Sequence, residues 1–164
     1  VFIEIYYLRH IEYNLLKISI FDMSQIINFY EDSEDEKILM LFTAINKGRP
    51  DEIIGIFSVN DNFVSFSNDR YIQFSSSYLT SCIRKCKKTR NGFAIIHNHK
   101  IDCEPSHSDI ETEAKILKIV NSEYLERFYF MIFDMNEKKM RVRAYDRNGK
   151  TYLKQEYIVN ELQN

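Results

Sequence analysis

The stretch Gly92–Asp109, GFAIIHNHKIDCEPSHSD, decides how the rest of the chain is read. Phe93 to Ile96 are apolar without a break, and His97 and His99 follow with one residue between them. A polar loop then reaches Ser106 and Asp109, where Ser106 or Ser108 stands as the N-cap of a helix running to about Val120. A short apolar run bounded by turn residues reads as a buried strand, so the stretch predicts strand, loop and helix in succession. Loops at strand ends concentrate function because the strand gives them a rigid base. Three of the four histidines fall within it.

Working outward, the helix after Ser106 is expected to turn Ile110, Ala114 and Leu117 inward. RFYFMIF (127–133) follows as a buried strand, and MRVRAY (140–145) alternates as a half-exposed one whose Arg141 to Tyr145 face offers an edge contact. Asn148-Gly149 marks a turn before the final segment. Upstream, Ser75 to Ser77 can cap a helix that puts Tyr78, Leu79, Cys82, Ile83 and Cys86 on one face. EKILMLFTAIN (36–46) is apolar on both alternating faces, as a strand covered on both sides requires. The turn residues 46–51 join it to EIIGIFSV (52–59) as a hairpin, and NFVSFS (62–67) reads as a further strand.

At the start, residues 1–20 read as one or two strands, with a helix over 13–20 as the alternative. Asp22 or Ser24 can then cap a short helix over Gln25–Tyr30. With only four Gly and two Pro in 164 residues there is no linker signature, so the expectation is one domain over 1–164. Its core spans about 20–146, with 1–19 and 147–164 as peripheral extensions. Strands outnumber helices and surround them in sequence, which predicts an α/β (α+β) class with a mixed sheet flanked by helices.

Composition excludes several partner classes. At 45% hydrophobic and 28% charged residues the chain is not of a disordered type. A net charge of -2 argues against a nucleic-acid partner engaged over the whole surface. No apolar run approaches the ~20 residues of a membrane-spanning helix. The first residues, VFIEIYYLRH, carry Glu4 and Arg9 and lack a small-residue cleavage site, so no signal peptide is expected. Three cysteines do not make a closed disulfide framework, and a reducing, cytoplasmic setting fits them best.

The central stretch also carries a ligand pattern. Residues two apart in an extended segment point the same way, so His97 and His99 can face one ion. Asp109 would add a carboxylate from the first turn of the next helix, where the helix dipole favours negative charge. Two imidazoles and a carboxylate, with one position left for water, are the ligand count of a hydrolytic zinc site.

The whole arrangement, H-x-H, six residues, then S-x-x-D, resembles the H-x-H-x(7)-S-x-x-D signature of the JAMM (Jab/MPN) zinc metallopeptidase family. His-Asn-His followed by Pro-Ser looks most like its bacterial RadC-like branch, and the order of helices and strands is similar over residues ~20 to 146. The resemblance implies a JAMM/MPN (cytidine-deaminase-like) fold, Zn2+ held by His97, His99 and Asp109, and Ser106 helping to hold the oxyanion. It also implies a glutamate base at the start of an early strand. Glu36, which opens KILMLF, is preferred, and Glu52, in an E-I-I-G-I that resembles the Glu-x-x-Gly of the MPN branch, is its rival. The implied reaction is hydrolysis of an amide bond in a peptide or a ubiquitin-like protein conjugate.

Two departures from the signature stand out: the spacer is six residues rather than seven, and Lys100-Ile101 replaces the Pro-Ser usual after the second histidine. A reshaped loop keeps two other readings open, an MPN-like module that only binds a partner and a RadC-like role linked to DNA. Bland readings stand beside each residue. His97 and His99 can simply end a strand, and S-x-x-D before a helix is also a capping arrangement, as is Ser108 with Glu111. Cys103 in the loop is either a thiolate near the metal or an ordinary loop residue, with the second reading preferred. Cys82 and Cys86 read as core, and the basic run from Arg84 to Arg90 as a solvated helix end. The P-C-x-x-C of zinc nucleobase deaminases is absent.

Overall fold

A computed structural model of the chain describes residues 2–7, 16–45, 55–57, 76–148 and 151–160. Its elements are β1 (Phe2–Tyr7), β2 (Leu16–Ser19), α1 (Ile20–Tyr30), β3 (Ile38–Ile45), β4 (Gly55–Phe57), α2 (Ser76–Lys88), β5 (Gly92–His99), α3 (His107–Ser122), β6 (Arg127–Asp134), β7 (Lys139–Asn148) and β8 (Thr151–Asn160). The strands pair in the order β1-β2-β4-β3-β5-β6-β7-β8 and close through β1 against β8. The β2–β4 and β5–β6 pairs are parallel and the rest antiparallel, so the class is a mixed α/β (α+β) fold. Among the described residues no helix is long and apolar enough to cross a membrane.

The central strands β3, β5 and β6 are covered on both faces, which is why each reads as an unbroken apolar run. Alternation divides their side chains into two cores. Leu39, Leu41, Ala94, Ile96, Met131 and Phe133 pack on one face with Met23, Ile26 and Tyr30 of α1. Ile38, Met40, Phe93, Ile95, Phe130 and Ile132 pack on the other with Leu79, Ile83 and Cys86 of α2 and Ile116 and Val120 of α3. Burying these side chains contributes on the order of 25 cal/mol for each Å² of apolar surface removed from water.

Several sequence expectations shift in the structure. Helix α1 starts at Ile20, five residues before the predicted Gln25, and Asp22 lies inside its first turn. On α2, Leu79, Cys82, Ile83 and Cys86 face inward as expected, but Tyr78 is exposed. Helix α3 is rotated from its predicted setting. Ile110 is 50% exposed and Ala114 is exposed, while Glu113, Ile116 and Val120 face the sheet. The cause is Glu113, whose carboxylate meets Tyr145 and Arg143 on β7, a gain that apolar periodicity cannot register.

Strand β7 departs from expectation for the same reason. It lies between β6 and β8 and is not an edge. Its Arg141 and Arg143 are covered and ion-paired, Arg141 with Glu104 and Glu156, Arg143 with Glu113 and Glu156. Strand β8 pairs with β7 from Thr151↔Asn148 to Asn160↔Lys139. The predicted turn at 46–51, the NFVSFS strand, Glu52 and Gly149 lie outside the described residues.

Candidate metal centre

Helix α3 is the crossover between the parallel strands β5 and β6, so its N-terminus returns to the carboxyl end of β5. Ligand sites in α/β sheets form outside the carboxyl ends of strands, because the loops there are carried on rigid supports. Strand β5 continues beyond the apolar run Phe93 to Ile96 as far as His99, so both His97 and His99 lie in regular strand. Alternation places them on the α2/α3 face with Ile95, and turns Asn98 to the α1 face with Ile96. His97 is buried against the Phe130 ring, and His99 is half-buried.

Ser106 is the N-cap of α3. Its Oγ accepts from Asp109 N at 3.1 Å, and Asp109 Oδ2 accepts from Ser106 N at 2.8 Å, a reciprocal box that fixes the Asp109 rotamer. Held so, Asp109 turns Oδ1 to His97 Nε2 at 3.0 Å and Oδ2 to His99 Nε2 at 3.1 Å, and the two Nε2 atoms stand 3.1 Å apart. Among the described residues this is the one group of three or more His, Cys, Asp or Glu whose ligand atoms converge for an ion. With metal–ligand bonds of about 2.0–2.1 Å, tetrahedral zinc sets its ligand atoms about 3.3 Å apart, a few tenths of an ångström from the separations here. Two imidazole nitrogens and a carboxylate oxygen suit zinc, so the residues fit the ion the resemblance implies.

The charges are consistent with a cluster built around Asp109. Burial alone would raise its carboxyl, but hydrogen bonds from His97 and His99, with the Ser106 N–H, outweigh burial and hold it well below the usual carboxylate range. The hydrogen bond to Asp109 in turn raises His99 above an ordinary histidine, against partial burial and with help from the nearby charges of Glu36 and Asp102.

Glu36 precedes β3 by two residues, and the β3–β5 register places it. Ile38 pairs with His97, so continuing the same antiparallel count sets Lys37 beside Asn98 and Glu36 beside His99. Glu36, His99, Lys100 and Ser106 line one cleft of about 720 Å³ together with Glu34, Asp35, Asn98 and Ile101. No hydrogen bond or salt bridge holds the Glu36 carboxylate among the described residues. The structure thus brings Glu36, Ser106, His97, His99 and Asp109 together. Cys103 stands apart: its thiol donates to Lys139 O at 3.6 Å, and burial pushes it up to about 11.

Sequence reasoning passed over Asn98, the middle residue of the H-x-H. It is 2% exposed, accepts from Lys37 N at 2.7 Å through Oδ1, and donates from Nδ2 to Asp35 O at 3.3 Å and Met135 Sδ at 3.0 Å. The available signal was alternation itself, since an asparagine facing away from its flanking histidines in a buried strand must find polar partners. Compared with known proteins, the chain matches no family model and no curated protein.

Proposed function

We propose that the chain is a zinc-dependent hydrolase of the JAMM/MPN type, most similar to the RadC-like branch, cleaving a peptide or isopeptide amide bond in a cytoplasmic setting. What carries this reading is the convergence of His97, His99 and Asp109, one of which, His99, lines a cleft together with Glu36 and Ser106. His97 Nε2, His99 Nε2 and a carboxylate oxygen of Asp109 would hold the ion. When bound, zinc supplies Lewis acidity, polarising a scissile carbonyl and bringing the ionisation of water towards a pKa of about 7.

The remaining tasks fall to the chain. The Glu36 carboxylate, which lines the cleft and makes no hydrogen bond or salt bridge among the described residues, accepts a proton from the attacking water and returns it to the leaving amine. The Ser106 hydroxyl accepts in the α3 cap, which leaves its own O–H to donate to the oxyanion of the tetrahedral intermediate. Lys100 and the acidic residues Glu34 and Asp35 give the cleft charges of both signs, suited to a polypeptide substrate.

Metal content tests the proposal first. The purified protein is expected to hold one zinc per chain, and a chelator is expected to abolish its hydrolysis of peptide or isopeptide amides. Protein that takes up no zinc and is indifferent to chelators overturns the reading. Glu36→Gln should keep the zinc and lower turnover by roughly 10²–10⁴-fold, the usual contribution of a general base. Full turnover in that variant would pass the role to Glu52.

A further inference from the structure

The segment that carries Glu36 is fastened to strand β5 on both sides of Glu36. Asn98 Oδ1 accepts from the Lys37 N–H at 2.7 Å and Asn98 Nδ2 donates to Asp35 O at 3.3 Å, so one buried carboxamide holds the residue before Glu36 and the residue after it. Tyr30 adds a second fastening from α1. Its hydroxyl lies 3.0 Å from Ile96 O and 3.2 Å from Lys37 O, bridging β5 to the same segment. The Glu36 side chain takes no part in either attachment. Its backbone is fixed relative to His97 and His99, while its carboxylate makes no hydrogen bond or salt bridge among the described residues.

We propose that Asn98 is a positioning residue that sets the reach of the Glu36 carboxylate toward the His97–His99–Asp109 cluster, with Tyr30 as its support. The inference rests on the hydrolase reading above. Consecutive residues of β5 then have distinct tasks on opposite faces of the sheet: His97 and His99 hold the ion, and Asn98 between them places the base. A strand suits this because its two-residue period fixes which way each side chain points. A general base must lie within hydrogen-bond reach of the proton it takes, and displacement of about 1 Å costs on the order of 10²-fold. An anchor on both peptide groups that flank Glu36 is well placed to matter.

Asn98→Ala tests the assignment in the full-length, zinc-loaded protein. Amide exchange reads the fastening without reference to activity: the Lys37 N–H should exchange at least about tenfold faster, while Ile95 and Ile132 within the β5–β6 ladder keep their protection. With a fluorogenic peptide-amide library and a Gly-Gly isopeptide of lysine as probes, kcat should fall about 10–100-fold, as is usual for a supporting residue. KM should stay within about twofold, because substrate contacts are not altered. Zinc should remain at one per chain. Placed on Glu36→Gln, Asn98→Ala should cost nothing further, since a residue acting only through Glu36 has nothing left to position.

Unchanged Lys37 exchange, loss of zinc, or the same fold-loss in both backgrounds overturns the role of Asn98. If Asn98→Ala fails to fold, Tyr30→Phe decides, because it deletes only the hydroxyl. A several-fold fall in kcat with zinc retained supports the assignment, and wild-type kcat overturns it. Wild-type protein without chelator-sensitive hydrolysis overturns the hydrolase reading and the positioning role together. Additive losses in an active enzyme overturn the positioning role alone.

Discussion

Asp109 and Glu113 stand one helical turn apart on the same side of α3, and their surroundings are opposite in kind. Glu113 is buried against permanent partners, the Tyr145 hydroxyl through one oxygen and the Arg143 guanidinium at 3.0 Å through the other. Burial, then Glu113 itself, pushes the Tyr145 phenol well above its usual value, so it remains a donor at any ordinary pH. Asp109 faces two imidazoles, whose ring nitrogens in the neutral form can ligate a metal. A carboxylate among arginine and tyrosine is committed to the fold; a carboxylate among histidines can exchange its partners for an ion.

The sharpest way to break that contrast is to delete each carboxylate in turn. Glu113→Ala leaves the Tyr145 hydroxyl and part of Arg143 buried without their partner, and should destabilise the protein by about 3 kcal/mol in urea unfolding. Whatever remains folded should still bind one zinc per chain. Asp109→Asn should do the reverse. Structural zinc is bound by about 10–16 kcal/mol over four ligands, so losing one costs roughly 3 kcal/mol, or about 100-fold in affinity measured by chelator competition. Metal-free stability should fall by about 1–2 kcal/mol, less than in Glu113→Ala, because asparagine can still accept from Ser106 N but loses the charge-assisted bonds from His97 and His99. Equal effects of the two substitutions on zinc and stability would erase the distinction.

A smaller effect sharpens it through pH. Asp109 is lowered in the fold, so its contribution is present above the ordinary carboxylate range, near 4, and declines as pH falls below that. His99 is raised, so its contribution is complete below the ordinary histidine value, near 6.5, and disappears as pH rises through its folded pKa. Metal-free protein should therefore melt highest at mildly acidic pH. Zinc, which needs the neutral imidazole, should abolish the decline on the alkaline side. Thermal melts across pH with and without zinc measure both limbs.

The same contrast explains what the sequence made legible. Strands β3, β5 and β6 were readable because burial on both faces leaves no polar interruption between Phe93 and Ile96 or between Phe128 and Phe133. The grouping of His97, His99 and Asp109 was readable because these residues lie close together in the chain and their types are uncommon in combination. The rotation of α3 was not. Glu113 looks like a solvent residue until Arg143 and Tyr145, some thirty positions later, are brought beneath it. The coverage of Arg141 on β7 was hidden by the same cause, since its partner Glu156 lies on β8. Asn98 escaped notice as the unspecified middle of a motif, although the β3–β5 register makes it the residue nearest the Glu36 segment.

The closeness of the three ligands in sequence has a consequence for how the chain folds. His97 to Asp109 span thirteen residues, and closing a loop of about ten residues takes only ~10–100 ns and little entropy. Closure of the sheet, by contrast, must join segments far apart, as β1 with β8 does. An ion can therefore gather its ligands on a chain whose barrel has not yet formed, nucleating the β5–α3 turn early. Under the zinc reading proposed above, such early capture would let the ion bind the unfolded chain too, and it would then raise the melting temperature by less than its affinity for the finished site implies.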